Sequence, residues 1–151
     1  MNYFEKFGIP VGYKIDENAL VQAYLQEQSS FHPDANEVEF EKSALLNKAY
    51  KVLSNPIDRA KHFLEIHGKY QDVLDPEFSV EAFNLREKYE TLATLKSKKK
   101  FQEELAKRIS ELIATLYKLE NNLDAFQKNY GLLRFINSFL EKVRSDAYGR
   151  N

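Results

Sequence analysis

Three consecutive side chains, His32, Pro33 and Asp34, bring an imidazole beside a carboxylate, the two groups on which general acid and base chemistry relies. The other two imidazoles, His62 and His67, lie five residues apart. On one helix that spacing puts them on different faces, whereas ligation of a metal by a helical pair calls for i, i+4. Cysteine is absent, which removes thiol nucleophiles, disulfides and thiolate metal sites. No metal and no cofactor is therefore expected. His32 and Asp34 would work as acid and base only inside an enclosed, dry site that shifts their pKa values. Pro33 between them marks a turn, and turns lie on the surface. The tripeptide therefore reads as a contact surface rather than an active site, and the chain is not expected to be an enzyme.

What positions the tripeptide is a pair of amphipathic patterns. Asp16 to Ser30 carries Leu20, Val21, Tyr24 and Leu25 at helical spacing, and Glu39 to Ser54 carries Leu45, Leu46, Ala49, Tyr50 and Leu53. His32-Pro33-Asp34 falls in the short loop between them, at the tip of a helical hairpin whose core is expected to take Tyr24, Leu25 and Phe31. Asn2 is placed to cap a short helix ending before Gly8-Ile9-Pro10, and Asp16 to cap the second. Pro56 suits the first turn of a further helix through Ile66, which Gly68 would end in the left-handed conformation. His67, in the last turn before that glycine, is explained by its interaction with the helix C-terminus. Residues 1–68 are thus predicted to form one domain.

From Phe78 the apolar spacing lengthens into seams. Phe78, Ala82, Leu85, Tyr89 and Leu92 form one, Leu105, Ile109, Leu112, Leu116 and Leu119 a second, and Leu132, Ile136, Phe139, Val143 and Ala147 a third. A bundle of three antiparallel helices over 78–151 is expected. Its turns are placed near Lys96 to Lys100 and near Asn121-Asn122, with Asn122 as N-cap. The seam spacing also runs on through Leu123 and Phe126, which leaves Asn129 to Gly131 as an alternative for the second turn. Residues 69–77, with Asp72, Asp75 and Pro76, read as the connection between domains.

Strand patterns are absent, and the five glycines and four prolines sit mostly at element boundaries, so the fold class is all-α. At 151 residues and 43% apolar content the chain has enough material for one or two small cores. A net charge of -1 and a pI near 6.3 argue against a general nucleic-acid binder, which needs a basic surface. The run Lys96, Lys98, Lys99 and Lys100 is expected to be a solvated corner between helices. No apolar run has membrane-spanning length and no secretory leader is visible, which makes the cytoplasm the expected location.

Helix, helix, His-Pro-Asp loop and helix, in this order, resemble the J-domain, with Asn2-Tyr3-Phe4-Glu5-Lys6-Phe7-Gly8-Ile9-Pro10 before the hairpin and Leu46-Asn47-Lys48-Ala49-Tyr50 in it. Residues 55–68 (Asn55-Pro56-Ile57-Asp58-Arg59-Ala60-Lys61-His62-Phe63 onward), Asp75-Pro76-Glu77-Phe78, Asn84-Leu85-Arg86-Glu87 and Leu133-Arg134-Phe135 make the chain similar to the HscB family over nearly its whole length. The resemblance implies a J-domain hairpin with its HPD loop joined to a C-terminal three-helix bundle. It further implies that His32, Pro33 and Asp34 contact a DnaK-type chaperone (HscA) and stimulate its ATP hydrolysis, Asp34 accepting charge-assisted hydrogen bonds from a chaperone arginine. The bundle would bind IscU, the scaffold on which iron-sulfur clusters are built; lacking cysteine, this chain would hold no cluster itself. The rival reading keeps the J-domain and gives the bundle a different client.

Matching the family pattern position by position, Val80, Phe83, Glu87, Arg134 and Phe135 carry over as the scaffold-binding set. Val80, Phe83 and Glu87, at steps of three and four, share a helix face beside the core seam. Ser79 and Asn84 depart from the pattern, which has a large apolar residue and an acid there. A second departure lies in the hairpin. J-domains present lysines and arginines on their second helix, yet no Lys or Arg occurs between Ile15 and Glu41, and Ala35 stands where a basic residue usually follows the tripeptide.

Overall fold

The computed structural model describes residues 1–32, 34 and 36–147. Among them every regular element is helical, and the chain divides into two compact units, Met1–Gly68 and Lys69 onward.

The first unit contains α1 (Tyr3–Lys6), α2 (Glu17–Ser29), α3 (Glu37–Ser54) and α4 (Pro56–Ile66). Each begins at a side chain that accepts otherwise unpaired backbone N–H groups. Asn2 accepts from Phe4 and Glu5, Asp16 from Ala19, Asn36 from Glu39, and Asn55 from Ile57 and Asp58 ahead of Pro56. Gly8 and Gly68 follow the ends of α1 and α4 with φ of 66° and 67°, where a side chain would be strained. Phe4, Phe7, Leu20, Leu46, Ala49 and Leu53 form the buried core, with Tyr24, Phe31 and Tyr50 packed against it.

Tyr24 stacks on Tyr50 at 4.3 Å between ring centroids and donates its hydroxyl to Asn47 at 2.6 Å, which fastens α2 to α3. Leu25 does not join them. The next residue on α2 is turned about 100° from Tyr24, and Leu25 is 50% exposed, contrary to its expected place in the hairpin core.

Two polar residues are built into this unit. Arg59, 1% exposed, donates to the Tyr13 carbonyl at 2.7 Å and the Leu53 carbonyl at 2.6 Å, joining the α1–α2 loop to the end of α3. His62, 7% exposed, accepts the Tyr3 N–H on Nε2 at 3.0 Å and stacks on the rings of Tyr3 and Phe4. Burial is the main influence holding its pKa below 6.5; Glu65 pulls the other way. His67 places Nδ1 2.8 Å from the Phe63 carbonyl, the C-terminal role expected of it.

The second unit holds a 3-10 turn (Pro76–Phe78), α5 (Ser79–Glu90), α6 (Leu95–Lys118) and α7 (Leu123–Ala147). The predicted seams supply part of its buried core, Ala82, Leu105, Leu112, Leu116, Leu132, Ile136, Phe139 and Val143, and Phe101, Phe126, Tyr130, Leu133 and Leu140, outside those seams, are buried with them. Ion pairs Arg108–Glu81 and Lys88–Glu104 run across α5 and α6 in antiparallel register. Asn122 accepts the Ala125 N–H and opens α7, and residues 129–131 lie inside that helix. The turn placed at Lys96 to Lys100 is corrected: α6 already runs there, and the reversal lies at residues 91–94. Thr94 accepts the Ser97 N–H at 3.0 Å, and Ser97 Oγ accepts the Thr94 N–H at 3.3 Å, a capping box written with two hydroxyls. The lysines occupy the first turns of the helix.

Residues 69–75 do not hang free of the second unit. A Cβ on Gly131 would stand 2.6 Å from the Val73 carbonyl oxygen, so only glycine lets this segment cross α7 so closely. Gln127 to Gln71 and Arg134 to Asp72 tie it down on either side.

Candidate functional site

The first candidate is the loop from α2 to α3. The α2 helix ends at Ser29, with the Ser30 and Phe31 N–H groups bonded back to Glu27 and Gln28, and α3 starts from its Asn36 cap, so only a few residues close the hairpin. His32 and Asp34 are both exposed there; Pro33 lies outside the described residues. The His32 N–H donates to Glu39 Oε2 at 3.0 Å, so the first turn of α3 holds the loop. Around this tip Leu25, Val38 and Phe40 are 50%, 59% and 61% exposed, and the charged residues from Asp16 to Glu41 are all acidic. An open, solvated loop can present hydrogen-bonding groups to a protein surface but offers no enclosure for proton transfer.

The second candidate is the outer face of α5 with the middle of α7. Val80 is 68% and Phe83 59% exposed, and Glu87 stands in solvent one helical turn beyond Phe83. Two large apolar side chains this open on one helix face are what a partner surface provides. Phe135 is half-buried, its ring stacked on Phe139 at 6.0 Å. The Arg86 guanidinium lies 4.7 Å from the centre of the Phe135 ring, a cation–π contact that ties α5 to α7. Sequence reasoning missed Arg86, although its position three residues after Phe83 puts it on the neighbouring stripe of the helix. Arg134 is paired with Asp72, which no local pattern foretells. Beside these residues is a cavity of about 350 Å³ whose lining includes Arg86, Tyr89, Phe135 and Phe139. Burial, and then the hydrogen bond to Asp146, pushes the Tyr89 phenol above its usual pKa, so the hydroxyl stays protonated and donates at 2.9 Å.

Among the described residues no group of three or more His, Cys, Asp or Glu could hold a metal ion, and no helix is long and apolar enough to cross a membrane.

No protein-family model matches the chain. It is 38% identical over 106 residues to the co-chaperone protein HscB homolog of Vibrio atlanticus, and 39% identical over 106 residues to that of Vibrio parahaemolyticus. Each match spans 62% of this chain and 62% of the relative, less than two thirds of the relatives' own length. Among solved structures, the chaperone HscB from Vibrio cholerae superposes with a TM-score of 0.77 at 28% identity, with 97% of each chain covered. The human co-chaperone protein HscB gives 0.83 at 20% identity, over 97% of this chain and 82% of that one, a likeness of fold. With its all-α architecture and its exposed His32 and Asp34, the chain is similar in sequence and in fold to these HscB co-chaperone proteins.

Proposed function

We propose that this protein is a J-type co-chaperone of iron-sulfur cluster assembly. Its first unit would engage a DnaK-type chaperone of the HscA kind through His32, Pro33 and Asp34, and its second would carry an IscU-type scaffold protein on Val80, Phe83, Glu87, Arg134 and Phe135. The observation that carries this reading is the exposure of His32 and Asp34 at a short hairpin tip in a chain that also bares Val80 and Phe83 on a separate unit.

The chemistry asked of the protein is linkage. Docking favours the hydrolysis-competent state of the chaperone by the difference in affinity between its two states, and the scaffold is brought along on the other unit. Asp34 would supply charge-assisted acceptance to a cation on the chaperone. The experiment is chaperone ATP hydrolysis with and without this protein and a scaffold protein. His32→Gln and Asp34→Asn should abolish stimulation and leave both folding and scaffold binding intact. Stimulation unchanged by either substitution would end the assignment.

A second reading keeps the J-domain and gives the bundle another client. Ser79 and Asn84, small or uncharged where the family pattern has an apolar residue and an acid, favour it. Binding of an IscU-type scaffold by the full chain decides between the two.

A further inference from the structure

We propose that Glu39 is the positioning residue of the docking loop: its carboxylate holds the His32 backbone, so that the His32 and Asp34 side chains are offered to the chaperone in a restricted arrangement. The inference rests on the reading of that loop as the chaperone contact.

Glu39 is the third residue of α3, and Asn36, the cap of that helix, accepts its N–H at 2.9 Å. An acid at this position in a capping box sends its carboxylate back to the N–H of the capping residue. Here Oε2 instead reaches across the loop to accept the His32 N–H at 3.0 Å. The same helix start thus makes two bonds in opposite directions, one that sets where α3 begins and one that ties the loop to it. His32 is a sensitive place for such a tie, because a residue that precedes proline has few backbone conformations of its own. Fixing its N–H removes much of what remains. Glu39 is also half-buried, whereas its neighbours Glu37 and Glu41 are exposed, so its side chain is the one turned toward the loop. A loop ordered before encounter loses less conformational freedom on binding, which improves affinity without adding a contact.

The test compares full-length wild type with Glu39→Ala and Glu39→Gln, the second of which keeps an acceptor oxygen. Two quantities are read: hydrogen exchange of the His32 amide, and chaperone ATPase stimulation titrated with each protein. The His32 amide should lose protection in Glu39→Ala and keep part of it in Glu39→Gln. The half-saturating concentration should rise roughly three- to tenfold for Glu39→Ala and be largely restored by Glu39→Gln. Maximal stimulation should stay the same, since His32 and Asp34 remain in place. Unchanged half-saturation in Glu39→Ala, or equal His32 exchange in all three proteins, overturns the proposal. So does a fall in melting temperature shared by both variants, which would make Glu39 a residue of the helix alone. Should the wild type fail to stimulate any DnaK-type chaperone, the proposed function falls, while the exchange comparison still decides whether Glu39 orders the loop.

Discussion

Arg134 is ion-paired with Asp72, which lies on the segment that crosses α7 beside Gly131. Of the Arg134-Phe135 pair expected to meet a scaffold protein, the cation is therefore engaged within its own unit, and the cation over Phe135 is Arg86. The Asp72 and Arg134 side chains are 65% and 40% exposed, and a pair so open to solvent contributes at most about 1 kcal/mol to stability. Asp72→Asn should accordingly leave the melting temperature almost unchanged while it frees Arg134. Scaffold affinity, measured by calorimetry at low salt, should rise by about two- to fivefold, an effect that 0.5 M salt suppresses. An unaltered affinity would mean that Arg134 does not face the partner.

Phe83 and Phe135 separate binding from stability. Each should cost about 1–3 kcal/mol of scaffold binding when replaced by alanine, as aromatic anchors of an interface do. Phe83 is 59% exposed, so Phe83→Ala should melt like wild type. Phe135 stacks on Phe139 and lies beneath Arg86, so Phe135→Ala should also lower stability, by about 1 kcal/mol. A large fall in melting temperature for Phe83→Ala with unaltered affinity would return that residue to the core.

His62 gives the first unit a dependence on pH. Its folded-state pKa lies below the ordinary 6.5, chiefly through burial, with Glu65 opposing and the N-terminus assisting. The unfolded chain therefore binds a proton more readily than the folded one. The neutral imidazole's contribution is fully present above pH 6.5 and is lost as pH falls through the folded-state pKa. Protonation also takes away the lone pair on Nε2 that accepts the Tyr3 N–H. Thermal unfolding followed by circular dichroism from pH 7.5 to 5 should show the midpoint falling in wild type, and the slope should flatten in His62→Asn. Parallel curves for the two proteins would place the dependence elsewhere.

Local signals carried the helix starts and stops. Asp16, Asn122, Pro56 and Gly68 act within one turn of their own position, and a cap or a left-handed glycine needs no knowledge of the rest of the fold. The turn at residues 91–94 was missed because a lysine run resembles a solvated loop, whereas the decisive residues were Thr94 and Ser97, a capping box in which serine stands where glutamate is usual. Leu25 was misplaced because apolar spacing gives a stripe but not its edge, and the contact of Tyr24 with Asn47 and Tyr50 sets where the edge falls. The exposed faces of Val80 and Phe83 were legible as apolar residues off the main seam. Asp72 with Arg134, Arg86 with Phe135 and Glu39 with His32 were not, since each pair joins elements or crosses a loop and arises only when the chain has folded.

The hairpin's charge makes the last prediction. Asp16, Glu17 and Glu27 belong to α2 and its cap, Glu37, Glu39 and Glu41 to α3, and no Lys or Arg lies between Ile15 and Glu41. Association steered by opposite surface charges is strongly weakened by salt, because the Debye length shrinks from about 10 Å at 0.1 M to about 3 Å at 1 M. The α2 helix has no Lys or Arg to be screened against an acidic chaperone surface. Raising ionic strength should therefore change the association rate with a conventional DnaK only slightly, or raise it where like charges face each other. Gln22 and Gln26 are exposed and one turn apart on α2. Replacing both by lysine should speed association at low salt and introduce a fall with salt that the parent lacks. The measurement is stopped-flow association rate against salt for both proteins. A steep fall already present in the parent would mean that other cations, such as Lys42, Lys48 or Lys51 on α3, have taken over the steering role.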